Sequence, residues 1–307
     1  MGPFTPVGRL RPAARPETAM IVAERIPEVR RQVDEARQRE ETVRLVPTMG
    51  ALHAGHRSLI QAARRDGGFV VVSIFVNPAQ FGPGEDLARY PRPIEDDLAA
   101  CEDEGVDLVF HPPTEEMYPD EPKTTVHVAD LTGGLCGAQR PGHFDGVCTV
   151  VTKLLGIVRP DAAYFGEKDA QQLAVVRRMV ADLNLPVRIR ACPLVRDADT
   201  LATSSRNRYL SDQERSRALA LPKAVLEAGG RIRAGERDAA AVERRVRKAL
   251  EAADGVELEY VAVVDPDTLA PLETIGQQVL VAAAVRVGQT RLIDNCLLRN
   301  LDDRGEA

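Results

Sequence analysis

His53 and His56 stand three residues apart in the stretch Pro47-Thr48-Met49-Gly50-Ala51-Leu52-His53-Ala54-Gly55-His56. On a helix that spacing brings two side chains onto one face. An apolar run at residues 43–46 precedes the stretch and a helix-like run at 57–65 follows it, so it reads as strand, glycine-containing loop, helix. The first turn of a helix offers unpaired N–H groups and a partial positive charge, which suits phosphate. Gly50 and Gly55 let backbone approach a ligand without a Cβ in the way. The chemistry this spells is binding of nucleotide phosphates. The competing reading is a plain βα turn with two incidental histidines.

Three further polar groups have the same character. Gly166-Glu167-Lys168-Asp169-Ala170-Gln171-Gln172 contains one of only five lysines in an arginine-rich chain. A lysine there can neutralise charge that builds on phosphate oxygens during phosphoryl or nucleotidyl transfer. Asp169, at a helix start, reads equally as an N-cap or as a ligand contact. Val195 opens a loop ending in Thr203-Ser204-Ser205-Arg206-Asn207, two hydroxyl donors before a guanidinium fork. Asn77, Gln80 and Gln172 supply neutral amides for an uncharged part of a small substrate; turn formation is the other reading of Asn77-Pro78. Asp96 and Asp97 at a helix start are candidates for Mg²⁺, which favours carboxylates with phosphate oxygens, although acids at a helix start also serve the dipole. His143 is placed to join the pocket through residues 140–144, whereas His111 and His127 read as structural.

The elements that must carry these groups alternate. Strand-like runs at residues 69–76, 106–110, 162–165 and 187–191 follow the first strand, with helix-like runs at 94–104, 144–158 and 169–183 between them. Residues 20–41 read as a helix, and 124–128 as a short extended piece. Strand–helix alternation implies an α/β fold, and five core strands a Rossmann-like doubly wound parallel sheet ordered 3-2-1-4-5. The polar motifs fall at the carboxyl ends of the strands, where open sheets of this kind bind ligands. After Pro193 the texture changes. Helices at 211–231 and 238–253, strands at 256–264 and 278–287, and a short strand near Leu292 predict a second, smaller α+β domain. The expected organisation is a disordered extension at 1–18, a Rossmann-like domain at 19–194 and a smaller lid domain at 195–307.

Composition narrows the functions. The hydrophobic fraction is 44%, as in a protein with a sizeable core. No apolar run is long enough for a membrane span, and a net charge of −6 argues against a general nucleic-acid binder. Residues 1–18 lack the apolar core of a secretory signal. The five cysteines include no Cys-x-x-Cys pair, which fits reduced thiols in a cytoplasmic protein. The zinc-protease, P-loop and nucleophile-elbow motifs do not occur.

Together with Phe75-Val76-Asn77-Pro78-Ala79-Gln80-Phe81 and Tyr90-Pro91-Arg92, these motifs resemble the pantoate–β-alanine ligase (pantothenate synthetase) family of the HxGH nucleotidyltransferases, over about residues 20–300. The resemblance implies Mg-ATP as co-substrate and no tightly bound organic cofactor. It implies attack of pantoate on ATP to give pantoyl adenylate, and aminolysis by β-alanine to give pantothenate, AMP and pyrophosphate. It further implies an ATP site at Met49, Gly50, Ala51, Leu52, His53, Ala54, Gly55, His56, Gly166, Glu167, Lys168, Asp169, Val195, Thr203, Ser204, Ser205 and Arg206. His56 is the implied proton donor, with His53, Lys168, Ser204, Ser205 and Arg206 beside it in catalysis. Pro47, Thr48, Met49, Asn77, Gln80 and Gln172 are implied at the small substrates. The resemblance also implies a cytoplasmic homodimer whose smaller domain is a lid. Thr203 stands where the family usually has Met, and Ala170 where a larger residue is common.

Overall fold

Continuous β-branched runs become strands buried on both faces. The computed structural model describes residues 19–301; the expected disordered extension lies outside them. Six strands form one sheet: β1 (Ile21–Ala23), β2 (Val43–Thr48), β3 (Phe69–Ile74), β4 (Leu108–Phe110), β5 (Ala162–Gly166) and β6 (Arg188–Cys192). All pairings are parallel, and the order is β1-β4-β3-β2-β5-β6. Every residue of β3 is buried, as a central parallel strand requires. The expected order 3-2-1-4-5 describes β4-β3-β2-β5-β6, with β1 added outside it.

That extra strand corrects the helix expected at residues 20–41. Ile21 and Val22 are β-branched and pair with β4, and the helix spans only Ile26–Gln38. Pro27 sits in its first turn, where no intrahelical N–H is needed. Residues 124–128 form no strand.

The chain runs outward from β2 through β3 to β4, then returns to β5 on the other side of β2. This reversal is the switch point at which doubly wound sheets open a crevice. The ladder shows it directly. β2 pairs with β3 as far as Thr48↔Ile74, but with β5 only at Arg44↔Ala162 and Leu45↔Ala163. The carboxyl ends of β2 and β5 therefore lack ladder bonds to each other, and the loops that follow them line a cleft.

The smaller part carries an antiparallel sheet, β7 (Val256–Val264), β8 (Val279–Val287) and β9 (Thr290–Leu298), ordered β7-β8-β9. The strand expected near Leu292 is thus nine residues long. Gly288, at φ +56°, opens the two-residue turn that joins it to β8. The helix expected at 211–231 is two helices, Asp212–Ala218 and Ala220–Arg233. Pro222 lies in the first turn of the second, where its missing N–H does least harm. Val225, Ile232, Val246 and Leu250 pack against Val281 and Val285 in a core separate from those on the two faces of the parallel sheet.

Candidate active site

The loop after β2 is fastened from behind. Thr48 Oγ1 donates to the Ser73 carbonyl at 2.7 Å and accepts from the Gly50 N–H at 3.2 Å. Gly50 and Ala51 then turn through left-handed conformations, at φ +79° and +50°. The Asp97 carboxylate accepts from the N–H groups of Ala51 and Leu52, at 2.8 and 2.6 Å. The helix Ala54–Arg65 follows, with His53 extended at the N-cap and making no side-chain cap. The first-turn N–H groups are therefore left for another acceptor.

His53 and His56 do share one face. Their rings stack at 4.0 Å between centroids with 25° between planes. The His53 ring lies over Gly55, where a Cβ would come 2.9 Å from its Cε1. Nδ1 of each histidine is buried and finds no hydrogen-bond partner among the described residues. Burial, and then the nearby Lys168 ammonium, lower His53 to about 4. Burial, His53 and Lys168 drive His56 well below the usual imidazole range. Both rings are therefore neutral at pH 7, and act as hydrogen-bonding groups rather than as cations.

At the end of β3, Asn77 is buried and its amide is fully engaged. Nδ2 donates to Gln80 Oε1 at 3.2 Å and to the Gly146 carbonyl at 3.1 Å. Oδ1 accepts from the Tyr118 hydroxyl at 2.8 Å and from the Ala79 N–H at 3.3 Å. Asn77 thus orients Gln80, whose Nε2 rests on Met49 Sδ at 3.1 Å. Thioether sulfur is a weak acceptor, so that amide can exchange for a substrate oxygen at little cost. His143 contacts the Gln80 carbonyl through Nδ1 at 2.8 Å, while its Nε2 lies 3.0 Å from Arg140 Nη1. Since arginine can only donate, the imidazole carries its proton on Nδ1. Burial and the Arg140 charge lower His143 to about 4, in keeping with that neutral tautomer.

After β5, Glu167–Asp169 form a single 3-10 turn that leads into the helix Ala170–Asp182. Lys168 Nζ lies 4.0 Å from Asp169 Oδ2, and the Asp169 side chain makes no cap. The adjacent glutamines divide their work. Gln171 accepts from the Cys136 N–H and donates to the carbonyls of Leu131 and Gly134, each at 2.9 Å. Gln172 lines the cleft.

The loop after β6 meets the segment after β3. Thr203 Oγ1 donates to Asp197 at 2.7 Å, so the hydroxyl is used within its own loop. Ser204 Oγ accepts from the Arg206 N–H at 3.3 Å. Ser205 Oγ lies 3.2 Å from the Tyr90 hydroxyl. Arg206 grips Asp86 with Nε and Nη2, at 2.8 and 2.9 Å. Burial opposes ionisation of Asp86, but the Arg206 hydrogen bonds and charge outweigh it and hold the carboxyl below its usual range.

One cleft brings together Pro47, Thr48, Met49, His53, Gly55, His56, Asn77 and Gln80 with Gly166, Lys168, Asp169, Gln172, Val195, Thr203, Ser204, Ser205 and Arg206. Gly50, Ala51, Leu52, Ala54 and Glu167 are not on its wall; they shape the backbone behind it. Asp96 and Asp97, the metal candidates, are not among the residues that line this cleft. Asp97 spends both oxygens on the loop, and Asp96 is exposed beside it. Among the described residues no group of three or more His, Cys, Asp or Glu is placed to hold a metal ion. Sequence reasoning gave no role to Asp86, Tyr118 or Arg140. Tyr90 carried a signal within Tyr90-Pro91-Arg92, but nothing tied it to Ser205.

The family described as pantoate-beta-alanine ligase matches residues 21–297. A pantothenate synthetase of Moorella thermoacetica is 54% identical over 91% of this chain and 99% of its own. A bifunctional pantoate ligase/cytidylate kinase of Gloeobacter violaceus is 58% identical over 85% of this chain, which spans 51% of that longer protein. The crystal structure of a pantothenate synthetase from Thermus thermophilus superposes with a TM-score of 0.87 at 47% identity, covering 91% of this chain and 100% of that one. A pantoate-beta-alanine ligase from Francisella tularensis, solved in complex with beta-gamma ATP and beta-alanine, gives 0.74 at 31% identity, over 91% and 98% of the two chains.

Proposed function

Because the chain belongs to the pantoate–beta-alanine ligase family, we propose that its cleft condenses (R)-pantoate with β-alanine at the expense of ATP, through pantoyl adenylate. The observation that carries this reading is the make-up of one cleft, which gathers His53, His56, Lys168 and Arg206 together with the uncharged amides of Gln80 and Gln172. The first set suits phosphates; the second suits a hydroxy acid.

In the first step a pantoate carboxylate oxygen attacks the α-phosphorus and pyrophosphate leaves. Negative charge grows on the α-phosphate oxygens and on the leaving group. Lys168 and Arg206 offset it as cations, Ser204 and Ser205 as hydroxyl donors, and the helix start at Ala54 through its N–H groups. The neutral imidazoles of His53 and His56 lose little by desolvation and can turn N–H groups toward phosphate oxygens. A polyphosphate beside them favours protonation, which suits His56 as a proton donor. Magnesium arrives with ATP, bound by the phosphate oxygens, and Asp97 stays with the loop. In the second step the β-alanine amine attacks the acyl carbon, AMP departs with the oxygen it received, and the amide of pantothenate remains. No protein nucleophile is needed.

Residues 195–301 form the lid in this reading, with the domain boundary at residue 194. The reading also takes a homodimer in the cytoplasm as the working state. The dimer rests on likeness to the family; the location rests on that likeness and on five buried, unpaired cysteines. No helix among the described residues is long and apolar enough to cross a membrane. Incubation with Mg-ATP, pantoate and β-alanine tests the reaction: AMP and pantothenate form only when all three are present. Failure to form them with folded protein would refute it.

A further inference from the structure

The smaller part of the fold reaches the site with two consecutive residues of β9. Asn295, 6% exposed, donates both hydrogens of Nδ2, to the carbonyls of Glu167 and Lys168 at 2.9 Å each. Asp294, 2% exposed, accepts a two-pronged pair from Arg196 at 2.7 and 2.9 Å. Arg196 also donates to the Asn295 carbonyl at 3.3 Å. Arg196 begins the loop that ends at Arg206. One strand therefore holds both loops proposed to bind phosphate, and sets the distance between them.

The chemistry of the position demands this side chain. The turn Glu167–Asp169 has no side-chain cap of its own, and its half-buried carbonyls at Glu167 and Lys168 take both Asn295 hydrogens. Asparagine supplies two N–H groups in one plane. Aspartate has the same shape but would set carboxylate oxygens against two carbonyl oxygens. Alanine would remove both of these hydrogen bonds and leave the turn freer to rotate Lys168 out of line. A misplacement of about 1 Å near a reacting centre can cost on the order of 10²-fold in rate.

We propose that Asn295 is a positioning residue for Lys168: it pins the turn that aims the ammonium group at the ATP phosphates, and thereby ties the seating of the smaller domain to assembly of the phosphate site. The inference rests on the ATP-dependent reading of the cleft given above. Asn295 acts through Lys168, so its effect should vanish when the ammonium group is gone.

A double-mutant cycle on the full chain decides this. Asn295→Ala, Lys168→Ala and the pair are compared for turnover and for Mg-ATP affinity by calorimetry, with thermal unfolding as the check on folding. Asn295→Ala should lower kcat about 10- to 100-fold and weaken ATP binding, and Asn295→Asp should do both more severely. In the Lys168→Ala background, Asn295→Ala should change either quantity less than about twofold. Equal effects in both backgrounds would overturn the proposal. If Asn295→Ala does not fold, Asn295→Ser, which keeps one short donor, goes through the same cycle; failure of both to fold would assign Asn295 to folding and also overturn it. A wild-type protein that binds ATP but makes no pantothenate would sink the ligase reading alone, because the affinity arm still decides Asn295.

Discussion

A Cβ on Gly50 would sit 2.8 Å from Asp97 Oδ2, the oxygen that accepts from the next N–H in the chain. The tight loop and its anchor exclude each other's growth. Gly50→Ala also meets φ +79°, a left-handed cost of roughly 1–2 kcal/mol for an L-residue. It should lower kcat/KM by about 10²-fold through displacement of the loop. Asp97→Asn should destabilise by about 1.5–3 kcal/mol, because an amide nitrogen must then face one of two backbone N–H donors. Excess magnesium should not rescue Asp97→Asn; rescue would return Asp97 to the metal.

Arg206 meets the site already occupied. Asp86 takes two of its guanidinium N–H groups, and in the proposed reaction the ATP phosphates must compete for the same fork. Asp86→Asn should therefore lower the KM for ATP, by up to about fivefold if the pair is worth the ~1 kcal/mol of a partly exposed ion pair. A raised KM would show instead that Asp86 holds Arg206 in its working position.

The stacked histidines predict how stability depends on pH. Their folded pKa values are depressed, to about 4 for His53 and well below the ordinary 6.5 for His56. Below about pH 6.5 the unfolded chain takes up protons that the folded chain refuses, so stability falls as pH falls through this window. Between about pH 6.5 and 5 the loss should approach about 2 kcal/mol for His53, with His56 adding to it in the same direction. Urea midpoints at about pH 7.5 and 5, on either side of that window, check it. His53→Asn/His56→Asn should shrink the difference and leave the share of His143, which burial also lowers to about 4; an unchanged difference would place its source elsewhere.

Lys168→Ala and His56→Ala should each lower turnover by about 10²–10³-fold, the scale of removing one stabilising partner from a transition state. Near-normal turnover in both would refute the roles assigned to them. The thermal midpoint of Lys168→Ala should stay close to the parent's, since its ion-pair partner Asp169 lies at 4.0 Å.

Much of this arrangement was legible in the sequence because it is local. β2, β3 and β5 announce themselves as apolar runs, and the loops that follow them carry His53, Gln80 and Lys168. What escaped is set by distance along the chain. Asp97 reaches Ala51 across 46 residues, Tyr90 reaches Ser205 across 115, and Asn295 reaches Lys168 across 127. No spacing rule marks such pairs, so Asp97 read with Asp96 as a candidate for Mg²⁺ or a helix-start acid, and Asn295 drew no reading. β1 is three residues long, too short for a period to show. Gln171 and Gln172 differ only by one helical step, yet that step turns one inward and the other to the cleft. Asn77 read as a substrate contact or a turn former, and its bonds to Tyr118 and Gly146 are visible only in three dimensions.

One oxygen atom, followed from pantoate to product, tests the pantoyl adenylate most directly. Pantoate labelled with ¹⁸O in its carboxylate is turned over with Mg-ATP and β-alanine, and the products are weighed by mass spectrometry. Attack on the α-phosphorus followed by aminolysis at the acyl carbon places one label in AMP and none in pyrophosphate. AMP without label would contradict a pantoyl adenylate, whatever the yield of pantothenate.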